Sequence, residues 1–304
     1  MPEGDTVWLA GQRLHEALAG RVLVRSDFRL PHLATVDLRG RRVIGVTSRG
    51  KHLLTRFEGG LSLHTHFRMD GSWHLYRPGD RWRGGPDWQV RVVLANADWQ
   101  GVGYRLPVVT LIETGAEDTV VGHLGPDLLG AEWAPAEADR PVAGADPAAA
   151  GAGSAGSAGS AGSAGSVAQL LKVGYWLEAE AVRRLRGQPD QTIGAALLDQ
   201  RNLAGAGTLY RAETLFLCGV HPQTPVGEVR DLAGVLRKAR QLMMANRRHP
   251  EQSTTGDLRR GRQHWVFQRE GQPCRRCGSP VRHNAIGPRG KERPSYWCPC
   301  CQPR

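Results

Sequence analysis

Apolar positions recur three and four residues apart over residues 5–19, DTVWLAGQRLHEALA, where Val7, Leu9, Leu14 and Leu18 fall near one face of a helix. Asp5 or Thr6 can cap its start, and Gly20 can end it. The period then changes. RVLVRSDF, RRVIGVTS, KHLLTRFE, LSLHTHF, QVRVVLANADW and PVVTLIET are short runs rich in Val, Leu and Ile, and several alternate apolar with polar residues. Gly or Asp punctuates them, which predicts an antiparallel β-sandwich or barrel to about residue 125. Across 131–167 Ala, Pro and Gly dominate, and A-G-S repeats five times from Ala152 to Ser166. Such a tract has too little apolar mass to fold alone and is expected to be a flexible linker. Helical spacing returns in AEAVRRLRG, TIGAALLDQRNLAGAGTLYRAETLFLCGV and LAGVLRKARQLMMANRR, over residues 168–262. Thr192 is placed as an N-cap, and the Gly-rich NLAGAG is expected to separate two helices. Past Gly261 the chain becomes basic and cysteine-rich, so a third module is expected over 263–304.

Charge narrows the partners. A net charge of +11 favours a polyanion, nucleic acid first and an anionic membrane surface second. No run of about 18 apolar residues is present to span a bilayer. The N-terminus carries Asp and Glu where a leader would carry Lys or Arg, so the chain reads as cytoplasmic. Five of the six cysteines crowd into the last 31 residues, which points to metal rather than to a disulfide framework. Cys274 and Cys277 form one C-x-x-C pair, Cys298 and Cys301 another, the spacing of a structural zinc ribbon holding one Zn2+. Cys300 is the rival ligand, but the two-residue spacing favours Cys298 with Cys301. From 263 to 304 there are eight Lys or Arg against two Asp or Glu, including Arg282, Arg289, Lys291 and Arg293 between the cysteine pairs. A zinc-stapled hairpin with a basic loop can grip phosphates. The Gly205-Ala-Gly207 turn lacks the third glycine of a dinucleotide fingerprint and the Lys-Ser/Thr of a P-loop. It leaves backbone N–H groups at a helix start that can hold an anion, with Asn202 as an added donor.

Removal of Met1 would turn Pro2 into a free secondary amine beside the Glu3 carboxylate. An α-amine has a reference pKa near 8, so roughly a tenth is neutral at pH 7. A helix starting just after it opposes protonation and enlarges that fraction. A neutral secondary amine attacks electrophilic carbon to give an iminium, and an adjacent carboxylate can move protons.

The stretches MPEGDTVW, SRGKHLL, THFRMDGSW, LLDQRNLAGAGTLYRAE, QREGQPCRRCG and RPSYWCPCCQ occur in this order. Together they resemble the formamidopyrimidine-DNA glycosylase and endonuclease VIII family. The opening looks more like the actinobacterial endonuclease VIII-like branch. The similarity covers about 1–130 and 168–304. It implies an α+β multi-domain fold: an N-terminal antiparallel β-sandwich with a leading helix, then a helix–two-turns–helix domain and a zinc-ribbon β-hairpin. It implies a bifunctional DNA glycosylase and abasic-site lyase acting on damaged DNA. Pro2 would be the nucleophile, Glu3 the proton-transfer carboxylate and Lys51 a catalytic phosphate contact. Asn202 would hold phosphate at the turn and Arg293 would grip the phosphates flanking the lesion. Met69 sits where the family plugs the gap left by an everted base, with Arg68 and Asp70 beside it. Oxidised pyrimidines are the favoured substrates, but residues 68–70 look more like the purine-repair branch, so oxidised purines are the alternative. A zinc-stabilised DNA binder without chemistry is a third reading, opposed by intact Pro2, Glu3 and Lys51. A monomer without a small-molecule cofactor or membrane contact is expected. His64 and His66 alternate with Leu61 and Leu63 and read as structural, and Cys218 reads as a core thiol.

Overall fold

Residues 2–130, 133, 177–287, 290 and 292–304 are described in a computed structural model of the chain. Helix α1 (Gly4–Leu18) begins at Glu3, not at Asp5 or Thr6. Asp5 does not cap the helix; it is buried, accepting from the Tyr210 hydroxyl at 2.6 Å and from Gln252 Nε2 at 2.8 Å. The apolar stripe behaves as its spacing requires, and Val7, Leu14, Ala17 and Leu18 enter the core of the N-terminal half.

That core lies between two four-stranded antiparallel sheets, so the N-terminal half is a sandwich rather than a barrel. One sheet runs in the order β2 (Val43–Arg49), β3 (His52–Phe57), β4 (Leu61–His66), β8 (Val108–Glu113). The other runs β1 (Arg25–Phe28), β6 (Val90–Ala95), β7 (Gln100–Tyr104), β5 (Ser72–Tyr76). Val46, Leu53, Leu63, Val92 and Leu94 meet between them, each contributing roughly 1.5–3 kcal/mol by leaving water. Strands β5 and β7 had no clear signal. SWHLY is partly exposed on both faces. QGVGY carries glycine where α1 crosses, because a Cβ on Gly101 would lie 3.0 Å from the Leu14 side chain.

The second half is helical. After the single turn α2 (Asp118–Val121) come α3 (residues 177–186), α4 (Ile193–Ala196), α5 (Thr208–Leu217) and α6 (Leu232–Asn246). Asp231 caps α6 by accepting from Gly234 N at 2.7 Å. Thr192 occupies the N-cap of α4, but its hydroxyl makes no capping bond. Leu197, Leu203, Tyr210, Leu236 and Met243 form the helical core, and Leu128, Leu129 and Trp133 join it. The rest of the expected linker lies outside the described residues, as do Arg289 and Lys291.

The C-terminal hairpin pairs β9 (Arg282–Ile286) with β10 (Arg293–Trp297). It packs on α5 through Phe216, Val266, Val281 and Cys298. Glu213 of α5 is fully buried and accepts the backbone N–H groups of Trp265, Val266 and Phe267 at 2.7–2.8 Å. Those bonds repay the burial of a carboxylate and fasten the connector to the helix. Cys218 is half-buried at the edge of the helical core rather than within it. Among the described residues no helix is long and apolar enough to cross a membrane.

Candidate active site

The start of α1 meets the start of α5. Gly4 N donates to Gly205 O at 3.0 Å. The Glu3 side chain is 0% exposed, and its two oxygens accept from Gly207 N at 2.7 Å and Leu209 N at 2.8 Å. These are the unpaired donors that a helix start supplies, and the α5 dipole favours a negative charge there. Residue 207 has to be glycine, since a Cβ would fall 2.6 Å from the Glu3 carboxyl carbon. Burial pushes the Glu3 carboxyl above its ordinary range, against the pull of Lys51 and of the two amides. Pro2 lies next to it at the mouth of the site, half-buried.

Lys51 arrives on the turn between β2 and β3. Gly50 sits there with φ +57°, and a Cβ would press to 3.0 Å from Ala204 Cβ. Gly50 N donates to Asp127 Oδ2 at 2.6 Å, and Leu129 N donates to Asp127 Oδ1 at 3.0 Å. Asp127 thereby latches the hairpin onto the Gly-rich turn. Burial lowers the Lys51 pKa, the Glu3 charge opposes this, and the Arg293 charge adds to it. Arg293 stands exposed at the start of β10. Behind it Arg211 of α5, 1% exposed, donates to the carbonyls of Pro294 and, at 3.3 Å, Gly194. Burial brings the Arg211 pKa down to about 10.

The structure thus brings Pro2, Glu3, Lys51 and Arg293 together. Asn202 is placed differently: it is 3% exposed and its Nδ2 donates to Ala196 O at 3.1 Å, bracing the turn from inside. Arg68 and Met69 lie on the loop after β4. Arg68 adopts φ +47°, its N–H donates to His66 Nδ1 at 2.9 Å, and Met69 projects into solvent. Arg105 holds the loop from the side, donating to Asp70 O at 3.2 Å. His64 and His66 do read as structural. With His52 and His123 they form a ring cluster, and His52 Nδ1 and His64 Nε2 lie 2.8 Å apart. Burial, reinforced by the neighbouring rings, lowers the His52 pKa to about 3.

A cavity of about 310 Å³ opens beside Glu3, walled by Leu209, Gln252, His264, Phe267 and Gln268 among others. Gln268, at φ +55°, is a non-glycine residue in the left-handed region. In the third module the sulfurs of Cys274, Cys277, Cys298 and Cys301 all lie within 4.8 Å of one another. The 3.4 Å and 3.9 Å pairs bracket the separation of about 3.8 Å that a tetrahedral zinc thiolate site requires. Amides of Arg276 and Cys301 point at sulfurs, each at 3.4 Å. Cys300 is exposed outside the cluster, so the rivalry between it and its neighbours resolves as the spacing favoured.

Asp127, Arg211 and Gln252 were not singled out in the sequence. Asp127 sits in a GPD turn, and Arg211 occupies mid-helix where arginine usually faces water. Only the Gly50 and Pro294 contacts give them meaning.

Residues 1–103 match the family profile of the formamidopyrimidine-DNA glycosylase N-terminal domain. A probable endonuclease 8 2 of Streptomyces coelicolor is 49% identical over 304 residues, spanning 99% of this chain and 94% of that protein. The DNA-(apurinic or apyrimidinic site) lyase Nei2 of Mycolicibacterium smegmatis is 38% identical over 302 residues, 99% of each. Among solved structures, the Lactococcus lactis Fpg in complex with an abasic site containing DNA superposes with a TM-score of 0.71 over 100% of both chains at 18% identity. The shared fold and near-full-length identity carry one conclusion: the chain belongs to the formamidopyrimidine-DNA glycosylase and endonuclease VIII family.

Proposed function

We propose that this DNA glycosylase and abasic-site lyase of base excision repair works through Pro2, with Glu3, Lys51 and Arg293 around it. The observation that carries the reading is the buried Glu3 carboxyl, held on two α5 amides beside the one residue whose nitrogen can become a terminal amine. A carboxyl raised by burial holds its proton more readily than an exposed one and can deliver it during the reaction.

In the proposed sequence the Pro2 nitrogen lone pair bonds to C1′ of the damaged nucleotide. The C1′–N bond breaks, and the base leaves with that electron pair and a proton. Glu3 delivers protons as the sugar ring opens and the iminium forms. The iminium acidifies the C2′ hydrogen, so β- and then δ-elimination expel the two phosphates. Lys51, its pKa lowered by burial, contacts the phosphate next to the lesion. Arg293 grips the flanking phosphates from the hairpin that Arg211 fixes. Asn202 braces the turn that precedes the Glu3-binding amides of α5. The everted base enters the cavity beside Glu3, and Met69, stiffened by His66 and Arg105, fills the gap in the stack with Arg68 beside it. One zinc ion on Cys274, Cys277, Cys298 and Cys301 staples the hairpin and supplies much of its folding energy. The enzyme acts as a monomer on damaged DNA, without a small-molecule cofactor, in the cytoplasm, with oxidised pyrimidines as preferred lesions. The modules run 1–130, 168–262 and 263–304.

Borohydride trapping on an abasic duplex tests the nucleophile: a covalent adduct is expected with the mature protein and none when an N-terminal tag blocks the Pro2 nitrogen. Undiminished trapping by the blocked protein would refute the assignment. The Met69 loop favours a second reading, oxidised purines. A panel of duplexes carrying thymine glycol, dihydrouracil or 8-oxoguanine decides between the two.

A further inference from the structure

Among the described residues, Trp88 has no partner for its ring. Of the eight described tryptophans it is the exposed one, at 73% of its surface, and it enters no ring–ring or cation–π contact among the described residues. The other described ones are covered: Trp8, Trp82, Trp99, Trp133 and Trp265 each lie under an arginine, Trp297 meets His221 edge to face, and Trp73 packs on the sandwich core. A single exposed apolar residue is ordinary, but this one sits in a cationic collar. Arg91 donates to Trp88 O at 2.9 Å, while Arg29 is taken up by the carboxylates of Asp87 at 2.8 Å and Asp27 at 3.2 Å. Arg81 and Arg83 are exposed in the same connection between β5 and β6. Arg68, Arg81, Arg83 and Arg91 enter none of the ion pairs among the described residues.

The ledge adjoins the loop assigned to the gap. Arg105 N donates to Gln89 O at 2.8 Å, and its guanidinium contacts Gly84 O, Gln89 Oε1 and Asp70 O. Strand register agrees, because Tyr104 pairs with both Ser72 and Val90. One arginine therefore ties the Met69 loop to Gln89, the residue that follows Trp88. A ring open to solvent among guanidiniums is what unpaired nucleotides need: a face to stack on and charge for the backbone. A fully paired flank offers only phosphates, because its bases are already stacked.

We propose that the Trp88 ledge, with Arg81, Arg83 and Arg91, binds single-stranded DNA flanking the lesion and so favours lesions in unpaired regions. This rests on the DNA-repair reading above. The probe is a fluorescein-labelled strand carrying a tetrahydrofuran abasic analogue, presented as a blunt duplex, in a bubble of non-complementary bases, and alone. Trp88→Ala is expected to weaken binding to the bubble and the single strand about fivefold or more, and binding to the duplex less than twofold. Trp88→Tyr keeps a stacking face and is expected to retain most of the affinity. Equal losses on all three probes, or no loss on any, would overturn the proposal. Failure of the repair reading itself would show separately, as absence of a Pro2-dependent borohydride adduct in the unsubstituted protein.

Discussion

Replacing Glu3 by glutamine keeps the shape of the side chain and removes its charge and its proton. The carboxylate accepts from Gly207 N and Leu209 N. A carboxamide can accept only one of these, and its NH2 group must face the other, leaving a buried donor unpaired. That costs about 1–3 kcal/mol. Relief of charge burial offsets part of it, since burial is the largest influence on this group and works against the anion. The net loss of stability is expected to be no more than about 1–2 kcal/mol, so the variant stays folded. Chemistry should suffer far more: loss of a proton donor slows base removal roughly 10²–10⁴-fold. Cleavage of a preformed abasic site needs no departing base, so it should fall by only about tenfold or less. Single-turnover assays on a lesion duplex and on an abasic duplex, with thermal denaturation alongside, separate the steps. Base removal at the unsubstituted rate, or equal loss on both substrates with an intact fold, would refute the role given to Glu3.

Gly207→Ala has an allowed backbone, φ −131°, so its cost comes from the Cβ pressing on Glu3; about 1–3 kcal/mol of destabilisation and a Glu3→Gln-like loss of base removal are expected by denaturation and single-turnover assays. His52 and His66 are held at about 3 and about 4 by burial, so the unfolded chain takes up protons that the native cluster refuses. Their contribution is present above pH 6.5 and lost as pH falls from there toward 4 and 3, on the order of 2–3 kcal/mol together by pH 5 after discounting for partial exposure. Denaturant titrations at pH 7 and pH 5 measure it, and His52→Gln should flatten the difference. Cys300→Ser is expected to retain one zinc per chain by elemental analysis, whereas Cys298→Ser loses it along with the order of the hairpin. Asp127→Ala strands the Gly50 amide and should cost about 1–3 kcal/mol while raising the KM for DNA, because Lys51 loses its latch.

Elements with one dominant period were legible. The α1 stripe, the alternating runs of the first sheet and the long α6 pattern each declared themselves through spacing. Strand β7 did not, because tertiary contact decided it: its glycines admit α1, and no local propensity marks them. Motifs served the site well where chemistry is written in residue type, as in the paired cysteines and in Glu3. They served poorly where a role comes from a long-range contact. Asp127 acts across to Gly50 and Arg211 across to Pro294, and neither partner is near in sequence. Asn202 shows the converse: a donor placed correctly on the turn has its amide directed at the carbonyl of Ala196.

The bonds from Glu3 to Gly207 and Leu209 join residues 204 and 206 positions apart. On the ribosome Pro2 and Glu3 are made first, yet the amides that hold Glu3 emerge only after two-thirds of the chain. A nascent or truncated N-terminal fragment therefore lacks the amides that hold the Glu3 carboxylate. It also makes refolding of this site a long-loop closure, slow in comparison with the formation of either half.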